Sequence, residues 1–234
     1  MIPLLLAMLV AAPEANYIKV DVRTRAVIES DWPDAETPVP VGSLVKPFVA
    51  LAYAGDWPEF VCRGTADGCW LARGHGRLQF KQAMAQSCNA YFLNLARGVD
   101  AETLAVVAAK FGIPPPDADT AEARIGLGTA WKISPVALAR AYGELASRGS
   151  EPRVGQILEG LKMAAQSGTA SAIGRGRMAK TGTAACVSER RDAGDGFAMV
   201  LDPGEAPRIA VLVRVHGAPG AAAAKIAARI LERK

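Results

Sequence analysis

Three strand-like segments close together near the C-terminus constrain the fold most strongly. They cover residues 178–185, 197–201 and 209–215, and an alanine-rich helix is predicted after them over about residues 221–233. Strands are predicted at the other end of the chain as well. Residues 17–22 alternate between apolar and polar side chains, and a turn leads back into residues 26–29, which indicates a hairpin.

Helices are predicted between these two groups of strands. Their approximate positions are residues 44–54, 80–96 with an interruption at 87–89, 100–112, 134–149 and 155–166. The order of elements favours an α+β fold: a five-stranded antiparallel sheet that joins both ends of the chain, with flanking helices and a mostly helical subdomain over about residues 55–175. The chain shows neither an internal repeat nor a long linker. We therefore expect residues 16–234 to form a single domain.

Composition and the N-terminus limit the classes of function. The chain has 234 residues, which is long enough to bury a sizeable core. Its net charge is only +4, and it lacks the aromatic-interleaved basic patch of a nucleic-acid-binding protein. Residues 2–12 form an apolar run that is too short to span a bilayer and ends in small residues typical of a cleavage site. No basic residue precedes the run, so a buried first strand is the alternative. The sequence predicts a signal peptide or leader over residues 1–15, and export from the cytoplasm.

A lysine, a glycine and two hydroxyls follow one another along the first of the C-terminal strands. Lys180 and Gly182 are expected on one face of this strand, and Thr181 and Thr183 on the other. The glycine lets another backbone approach closely. Such an edge can bind a carboxylate through its cation and hydroxyls, and can pair with an extended peptide through main-chain hydrogen bonds. It lacks a nucleophile, which another part of the chain must supply.

Ser43 is the candidate nucleophile, at the start of the first predicted helix. Lys46 follows one helical turn later, so its amine can reach the Ser43 hydroxyl and act as a base if burial or a neighbouring cation lowers its pKa. In isolation this S-x-x-K pattern is most often a capped helix with a solvated lysine. Ser87 and Asn89 point to one side of an extended segment or turn and Cys88 to the other, so Ser87 can relay a proton and Asn89 can hold a substrate amide.

Taken together and in this order, S-x-x-K, S-x-N and K-T-G resemble the signature of penicillin-recognising serine acyl-enzymes. The chain is similar to the transpeptidase domain of class B penicillin-binding proteins, in particular the elongation type. The resemblance extends over about residues 17–233. It includes the further segments 74–76, 87–92, 125–128, 134–139, 167–170 and 180–184.

The resemblance implies an activity and roles for the residues of the first two motifs. The substrate would be the D-Ala-D-Ala end of a peptidoglycan stem peptide, and β-lactam antibiotics would bind in its place. Ser43 would be the acylated nucleophile and Lys46 its general base. Ser87 would pass protons, and Asn89 would position the substrate amide.

The third motif would bind the substrate and complete the catalytic centre. Lys180, Thr181 and Thr183 would bind the carboxylate of the substrate or the β-lactam, with Gly182 between them on the same strand. The backbone N–H groups of Ser43 and Thr183 would form the oxyanion hole. We expect the Ser43 hydroxyl to lie between the amines of Lys46 and Lys180.

Alternatives to a D,D-transpeptidase stay open at this point. A D,D-carboxypeptidase, a serine β-lactamase and a non-catalytic sensor of β-lactams or wall fragments would carry the same three motifs. Class B proteins usually have a membrane anchor and an N-terminal pedestal domain, neither of which the sequence shows, so an envelope protein partner is expected at the pedestal surface. Residues 174–181 nearly match a phosphate-binding P-loop, but Ala179 replaces the second glycine and a strand is predicted to follow.

Three cysteines and a histidine lie within a short stretch of the chain. Cys62, Cys69, His75 and Cys88 form a recognised ligand set for structural zinc. The alternative in an exported protein is a Cys62–Cys69 disulfide, or free thiols. By resemblance, some elongation-type relatives hold zinc through the equivalents of His75 and Cys88, with oxygen ligands elsewhere. The chemistry itself requires no cofactor. The fourth cysteine, Cys186, is expected in the core.

Overall fold

A five-stranded antiparallel sheet joins the two ends of the chain in the computed structural model, which describes residues 14–184 and 194–232. Within these residues the strands are β1 (Ala15–Asp21), β2 (Val27–Ser30), β3 (Val39–Pro40), β4 (Phe60–Cys62), β5 (Gly76–Leu78), β6 (Lys132–Ile133), β7 (Met178–Ala184), β8 (Asp195–Asp202) and β9 (Ile209–Val215). The order in the sheet is β2-β1-β9-β8-β7, and all neighbours are antiparallel. The predicted sheet is thereby confirmed. Strand β7 lies at one edge.

The helices flank this sheet and build the helical subdomain. In the described residues they are α1 (Lys46–Ala52), α2 (Phe80–Ala85), α3 (Asn89–Ala96), α4 (Ala101–Lys110), α5 (Ala121–Arg124), α6 (Pro135–Ser147), α7 (Pro152–Ser167) and α8 (Gly220–Glu232), with 3-10 turns at Gly42–Val45, Gly64–Asp67 and Ser171–Ile173. The predicted α+β class is confirmed. The first predicted helix differs in detail, because its first turn is a 3-10 turn that leads directly into α1.

Alternate side chains of the central strands are buried on opposite faces of the sheet, as the period of two requires. On β8, Phe197, Met199 and Leu201 belong to the large core shared with the helical subdomain. Ala198 and Val200 belong to a second core beneath α8. The alanines of α8 in this second core are short, so the helix packs close to the sheet. Both faces of β8 and β9 are thus covered, and β7, which is also largely buried, forms an edge of the sheet with Thr183 exposed.

The predicted leader lies almost entirely outside the described residues, since β1 begins at Ala15. Among the residues that the structure describes, none of the helices is both long and apolar enough to cross a bilayer.

Candidate active site

Ser43 lies in the 3-10 turn at the start of α1, pressed against the edge strand β7. Gly42 has φ +57°, and a Cβ atom there would lie 2.5 Å from the carbonyl oxygen of Thr183. A Cβ on Gly182 would in turn lie 2.7 Å from the carbonyl oxygen of Val41. Only glycine permits this approach of the two backbones. The turn therefore presents Ser43 directly beside β7.

Ser87 lies on the tight turn between α2 and α3, where the sequence predicts an interruption, and Asn89 is the first residue of α3. Ser87 has φ +50°, an uncommon conformation for a residue with a side chain. Hydrogen bonds from Ser87 N to Met84 O (3.1 Å) and from Cys88 N to Ala83 O (3.0 Å) hold the turn. The Ser87 hydroxyl is directed toward two lysines, and the Cys88 thiol toward other cysteines. The predicted opposite orientation of these two side chains is confirmed.

Two lysines, Lys46 and Lys180, are completely buried in the same place. Lys46 Nζ lies 2.7 Å from Asn89 Oδ1, 2.9 Å from Ser87 O and 3.3 Å from Ser87 Oγ. Lys180 Nζ donates to Ser87 Oγ (2.7 Å) and to Thr181 O (2.8 Å). Among the described residues, neither amine has a carboxylate partner. The site therefore holds two amines that share one hydroxyl.

That shared hydroxyl belongs to Ser87, which differs from the expectation that Ser43 lies between Lys46 and Lys180. Ser43 lines the same pocket, but its side chain has no hydrogen-bond partner in the described part of the chain. The reason is the backbone of the turn, because the left-handed conformation at Ser87 directs its side chain toward both amines. Ser43 is left facing the open pocket.

Burial lowers the pKa of both lysines. The pKa of Lys46 falls to about 7, because transfer into the interior disfavours the charged amine more than the nearby thiols of Cys88 and Cys69 favour it. The pKa of Lys180 is also well below its usual range, first through burial and then through the charge of Lys46. Two ammonium groups this close repel each other, so one of them is held neutral near physiological pH. A neutral amine can act as a general base.

The three motifs meet around a pocket of about 210 Å³. Its lining contains Ser43, Ser87, Asn89, Thr181, Gly182 and Thr183, together with Trp70, Leu127, Thr169, Pro219, Gly220 and Ala221. Lys46 and Lys180 lie behind this lining. The alternation predicted for β7 is confirmed, since Thr181 bonds to Thr169 (Oγ1–Oγ1 2.6 Å) and Thr183 Oγ1 accepts from Gly220 N (3.1 Å), on the face opposite Lys180.

Several pocket residues were missed by the sequence reasoning. Thr169 and Leu127 belong to segments recognised by resemblance, 167–170 and 125–128, and that was the only signal for them. Trp70 and the start of α8 have no motif of their own. In the Asn89 side chain the amide oxygen accepts a hydrogen bond from Lys46, while the amide nitrogen has no hydrogen-bond partner in the described residues. That N–H₂ group is available to a ligand.

The cysteine–histidine cluster lies directly behind the turn that carries Ser87. The candidate ligand atoms of Cys62, Cys69, His75 and Cys88 all lie within 4.8 Å of one another. Cys69 Sγ is 3.8 Å from Cys88 Sγ, and His75 Nδ1 is 3.5 Å from Cys69 Sγ and 3.6 Å from Cys62 Sγ. All three cysteines are free, so the alternative Cys62–Cys69 disulfide is not formed. Cys186 lies outside the described residues.

The separations of Cys69 from Cys88 and of His75 from Cys62 and Cys69 fit the edges of a tetrahedral metal site. Zinc–sulfur and zinc–nitrogen bonds of about 2.3 and 2.0–2.1 Å correspond to sulfur–sulfur edges of about 3.8 Å and sulfur–nitrogen edges of about 3.5 Å. The pKa of His75 is lowered by burial and by the charges of Lys46 and Arg73, which favours the neutral imidazole that binds metal. Burial raises the pKa of Cys69, but hydrogen bonds from the backbone of Leu71 and Ala90, among others, outweigh it and favour the thiolate. The donor set suits zinc.

Neither the P-loop-like segment nor His216 contributes to the pocket as a phosphate or metal site would require. Residues 178–184 form strand β7 where a P-loop would need a helix, so the geometry of a phosphate cradle is lacking. His216, at the end of β9, pairs with Asp195 (Nδ1–Oδ1 2.9 Å) and is not a pocket residue.

The sheet, the serine on a helical turn and the paired buried lysines together define a serine acyltransferase type of site. A sequence model of the family described as "Penicillin binding protein transpeptidase domain" matches residues 68–233. The chain therefore belongs to the penicillin-binding protein transpeptidase domain family. The matched region contains Ser87, Asn89 and Lys180, while Ser43 and Lys46 precede it.

Solved structures of such domains share the fold. PBP2 of Pseudomonas aeruginosa, in complex with WCK 5153, superposes with a TM-score of 0.78 at 18% identity, covering 95% of this chain and 74% of that chain. The D,D-transpeptidase domain of a peptidoglycan glycosyltransferase from Eggerthella lenta gives a TM-score of 0.77 at 17% identity, covering 95% and 78%. PBP2 of Helicobacter pylori, in complex with MreC, gives 0.77 at 15%, covering 93% and 59%. No curated protein sequence matches the chain.

Proposed function

We propose that the chain is a serine D,D-transpeptidase-like enzyme that acts on the D-Ala-D-Ala ends of peptidoglycan stem peptides through an acyl-enzyme on Ser43. The observation that carries this proposal is the pair of fully buried amines, Lys46 and Lys180, bonded to one hydroxyl beside Ser43 in one pocket. Burying two amines without a carboxylate is costly, and such cost is common where catalysis needs a perturbed pKa.

The proposed reaction assigns one step to each of these groups. Neutral Lys46 accepts the proton of Ser43 as its oxygen bonds to the carbonyl carbon of the penultimate D-alanine. The backbone N–H groups of Ser43 and Thr183 stabilise the oxyanion. The carbon–nitrogen bond then breaks, and the terminal D-alanine leaves with a proton passed from the lysine pair through Ser87. Ser43 is not hydrogen-bonded to Lys46 in this structure, so a rotation of its side chain accompanies substrate binding, as is common for catalytic contacts.

The β7 edge and the free amide nitrogen of Asn89 hold the substrate on either side of Ser43. An extended stem peptide pairs with the main chain of β7, and its terminal carboxylate meets the hydroxyls of Thr181 and Thr183, which line the pocket. Asn89 donates to the carbonyl of the peptide bond that precedes the penultimate D-alanine. A β-lactam presents the same carboxylate and amide, and so occupies the same contacts.

The decisive experiment is intact mass spectrometry after incubation with a fluorescent penicillin. We expect one covalent adduct, on the peptide that contains Ser43. Absence of any adduct would refute the proposed function. Sustained hydrolysis of nitrocefin would instead identify a serine β-lactamase. Release of D-alanine from a D-Ala-D-Ala peptide, with and without an amine acceptor, separates transpeptidase from carboxypeptidase, and acylation without peptide turnover identifies a sensor.

The acylation rate is expected to rise with pH in the neutral range. Lys46 has a pKa of about 7, and its protonated form has no lone pair to accept the Ser43 proton. Below this pH the rate constant should fall about tenfold per pH unit, and above it the rate should level off. Because the two lysines interact, the apparent pKa belongs to the pair. The measurement is the second-order rate constant for fluorescent penicillin between pH 5 and 9. A rate that does not change over this range would contradict a lysine base.

We also propose that Cys62, Cys69, His75 and Cys88 bind one structural zinc ion. A zinc ion supplies a closed cross-link among these segments, and so ties the loop before α2 to the turn that carries Ser87 and Asn89. The three thiolates and the neutral imidazole leave no open position for a reacting group. The ion would thus position the catalytic turn without taking part in the reaction.

Native mass spectrometry should find one zinc ion per chain. Removal by a chelator, or the substitution Cys69→Ser, should lower the melting temperature by roughly 10 °C, because metal binding contributes several kcal/mol to folding. Cys186→Ser is the control, since Cys186 is outside the predicted ligand set, and it should keep the ion. A metal-free protein that melts at the same temperature with and without chelator would refute the site.

The proposed setting is extracytoplasmic, where peptidoglycan is cross-linked. The apolar leader predicted over residues 1–15 would direct export. The structure of Helicobacter pylori PBP2 in complex with MreC shows that a protein of this fold binds another protein. We propose an envelope protein partner for this chain as well. Co-purification from envelope extracts, followed by loss of the complex on removal of the leader, would test both points.

A further inference from the structure

Trp70 is the one pocket residue with a large exposed aromatic surface in the described part of the chain. Its side chain is 53% exposed, although tryptophan is normally well buried. It lines the pocket together with Ser43, Ser87 and Asn89. Trp70 takes no part in the proton transfers and hydrogen bonds proposed for acylation. A large apolar ring at the mouth of a binding pocket is typical of a surface that a ligand covers.

The segment that carries Trp70 packs against the turn that leads into Asn89. The sulfur of its neighbour Cys69 lies 3.8 Å from the sulfur of Cys88 on that turn, and Cys69 N donates to Gly64 O (3.0 Å). The indole packs edge-to-face against His75, with ring centroids 5.3 Å apart and planes at 70°. Contacts of this kind hold an aromatic ring in one orientation. The indole is therefore a preorganised wall of the pocket, next to Asn89.

We propose that Trp70 is a specificity-determining residue that packs against the side chain of the acyl donor, on the N-terminal side of the amide held by Asn89. This inference rests on the proposed function. In a stem peptide that side chain is the aliphatic chain of the residue before D-Ala-D-Ala. In a penicillin it is the acylamido side chain. Leu127, which also lines the pocket, adds apolar surface to the same region.

The test compares two penicillins that differ in one ring. Benzylpenicillin carries a phenylacetamido side chain, and 6-acetamidopenicillanic acid has the same amide without the phenyl ring. The measured quantity is the ratio of their second-order acylation rate constants, from which any general loss of activity cancels. We expect Trp70→Ala to lower this ratio about tenfold, because an aromatic contact and its buried area are lost. Trp70→Phe should keep the ratio within about threefold of wild type, since a ring is retained.

Each outcome decides a different question. A ratio in Trp70→Ala equal to that of wild type refutes the role of Trp70 and leaves the proposed function intact. A wild-type chain that neither penicillin acylates refutes the proposed function itself. Native mass spectrometry and thermal melting of Trp70→Ala report the state of the neighbouring cysteine–histidine cluster. If Trp70→Ala lowers the ratio of the two acylation rate constants but also loses zinc and melts at a lower temperature, the proposed direct contact between Trp70 and the acyl donor is refuted and the role of Trp70 is structural.

Discussion

Replacement of Ser43 by alanine is expected to abolish the covalent penicillin adduct while leaving the fold unchanged. Ser43 is the only proposed acceptor of the acyl group, so no weaker nucleophile takes its place. The substitution should also be nearly neutral for stability. The Ser43 hydroxyl has no hydrogen-bond partner in the described residues, and its removal leaves no polar group unsatisfied. We expect a melting temperature within about 2 °C of wild type.

Intact mass spectrometry of the wild type and Ser43→Ala, incubated side by side with fluorescent penicillin, provides the measurement. Ser150→Ala is the matched control, because Ser150 is exposed between α6 and α7 and away from the pocket. It should acquire the adduct at the wild-type rate. An adduct on Ser43→Ala would show that another residue is acylated, and would refute the assignment of the nucleophile.

Replacement of Lys46 by methionine is expected to lower the acylation rate at least about a thousandfold. Without the amine, the Ser43 proton has no acceptor, and a serine without its base is a poor nucleophile. Methionine has a similar length and fills the same buried space. The fold should therefore survive, although the carbonyl oxygen of Ser87 and the amide oxygen of Asn89 lose a donor.

The stability of this variant relative to wild type should depend on pH. The pKa of Lys46 is about 7 in the folded chain and about 10.5 when the amine is in water. Between these values the unfolded wild type binds more protons than the folded one, so wild-type stability rises with pH. Lys46→Met should accordingly gain most in melting temperature relative to wild type at and below pH 7, and this gain should shrink as the pH rises toward 10.5.

Acylation kinetics and thermal melting over this pH range test both statements about Lys46. Lys225→Met is the control, because Lys225 is exposed on α8 and should show neither effect. Acylation of Lys46→Met at near the wild-type rate would assign the base to Lys180. A stability difference that does not vary with pH would mean that the amine of Lys46 is solvated in the folded protein.

Local sequence patterns predicted most of the elements. The alternation in β1, the glycine and proline signals around α6 and the interruption between α2 and α3 act over a few neighbouring residues, so they can be identified without tertiary information. The two-stranded pairs β3–β6 and β4–β5 were not predicted. Their strands are two or three residues long, and their pairing depends on contacts far away in the chain.

The residues of the site were predicted because three motifs name them, but their arrangement was not. Ser87 and Lys180 are separated by 93 positions, and their bond exists only because the turn at Ser87 adopts φ +50° next to β7. The spacing of the cysteines allowed zinc, a disulfide or free thiols, and only the folded chain shows that the three cysteines and His75 converge within 4.8 Å of one another. Trp70 had no signal at all, because its significance comes from the pocket that it lines.

The sequence by itself determined which elements form, the sheet that they build and the residue types available for acyl transfer, since those follow from short-range periodicity and from motif chemistry. Only the tertiary structure decided that Ser87 lies between the two amines, that the cysteines and His75 converge, and that Trp70 borders the pocket. The physical reason is that burial and distance between remote segments govern pKa values, metal geometry and pocket walls, and neither quantity exists before the chain is folded.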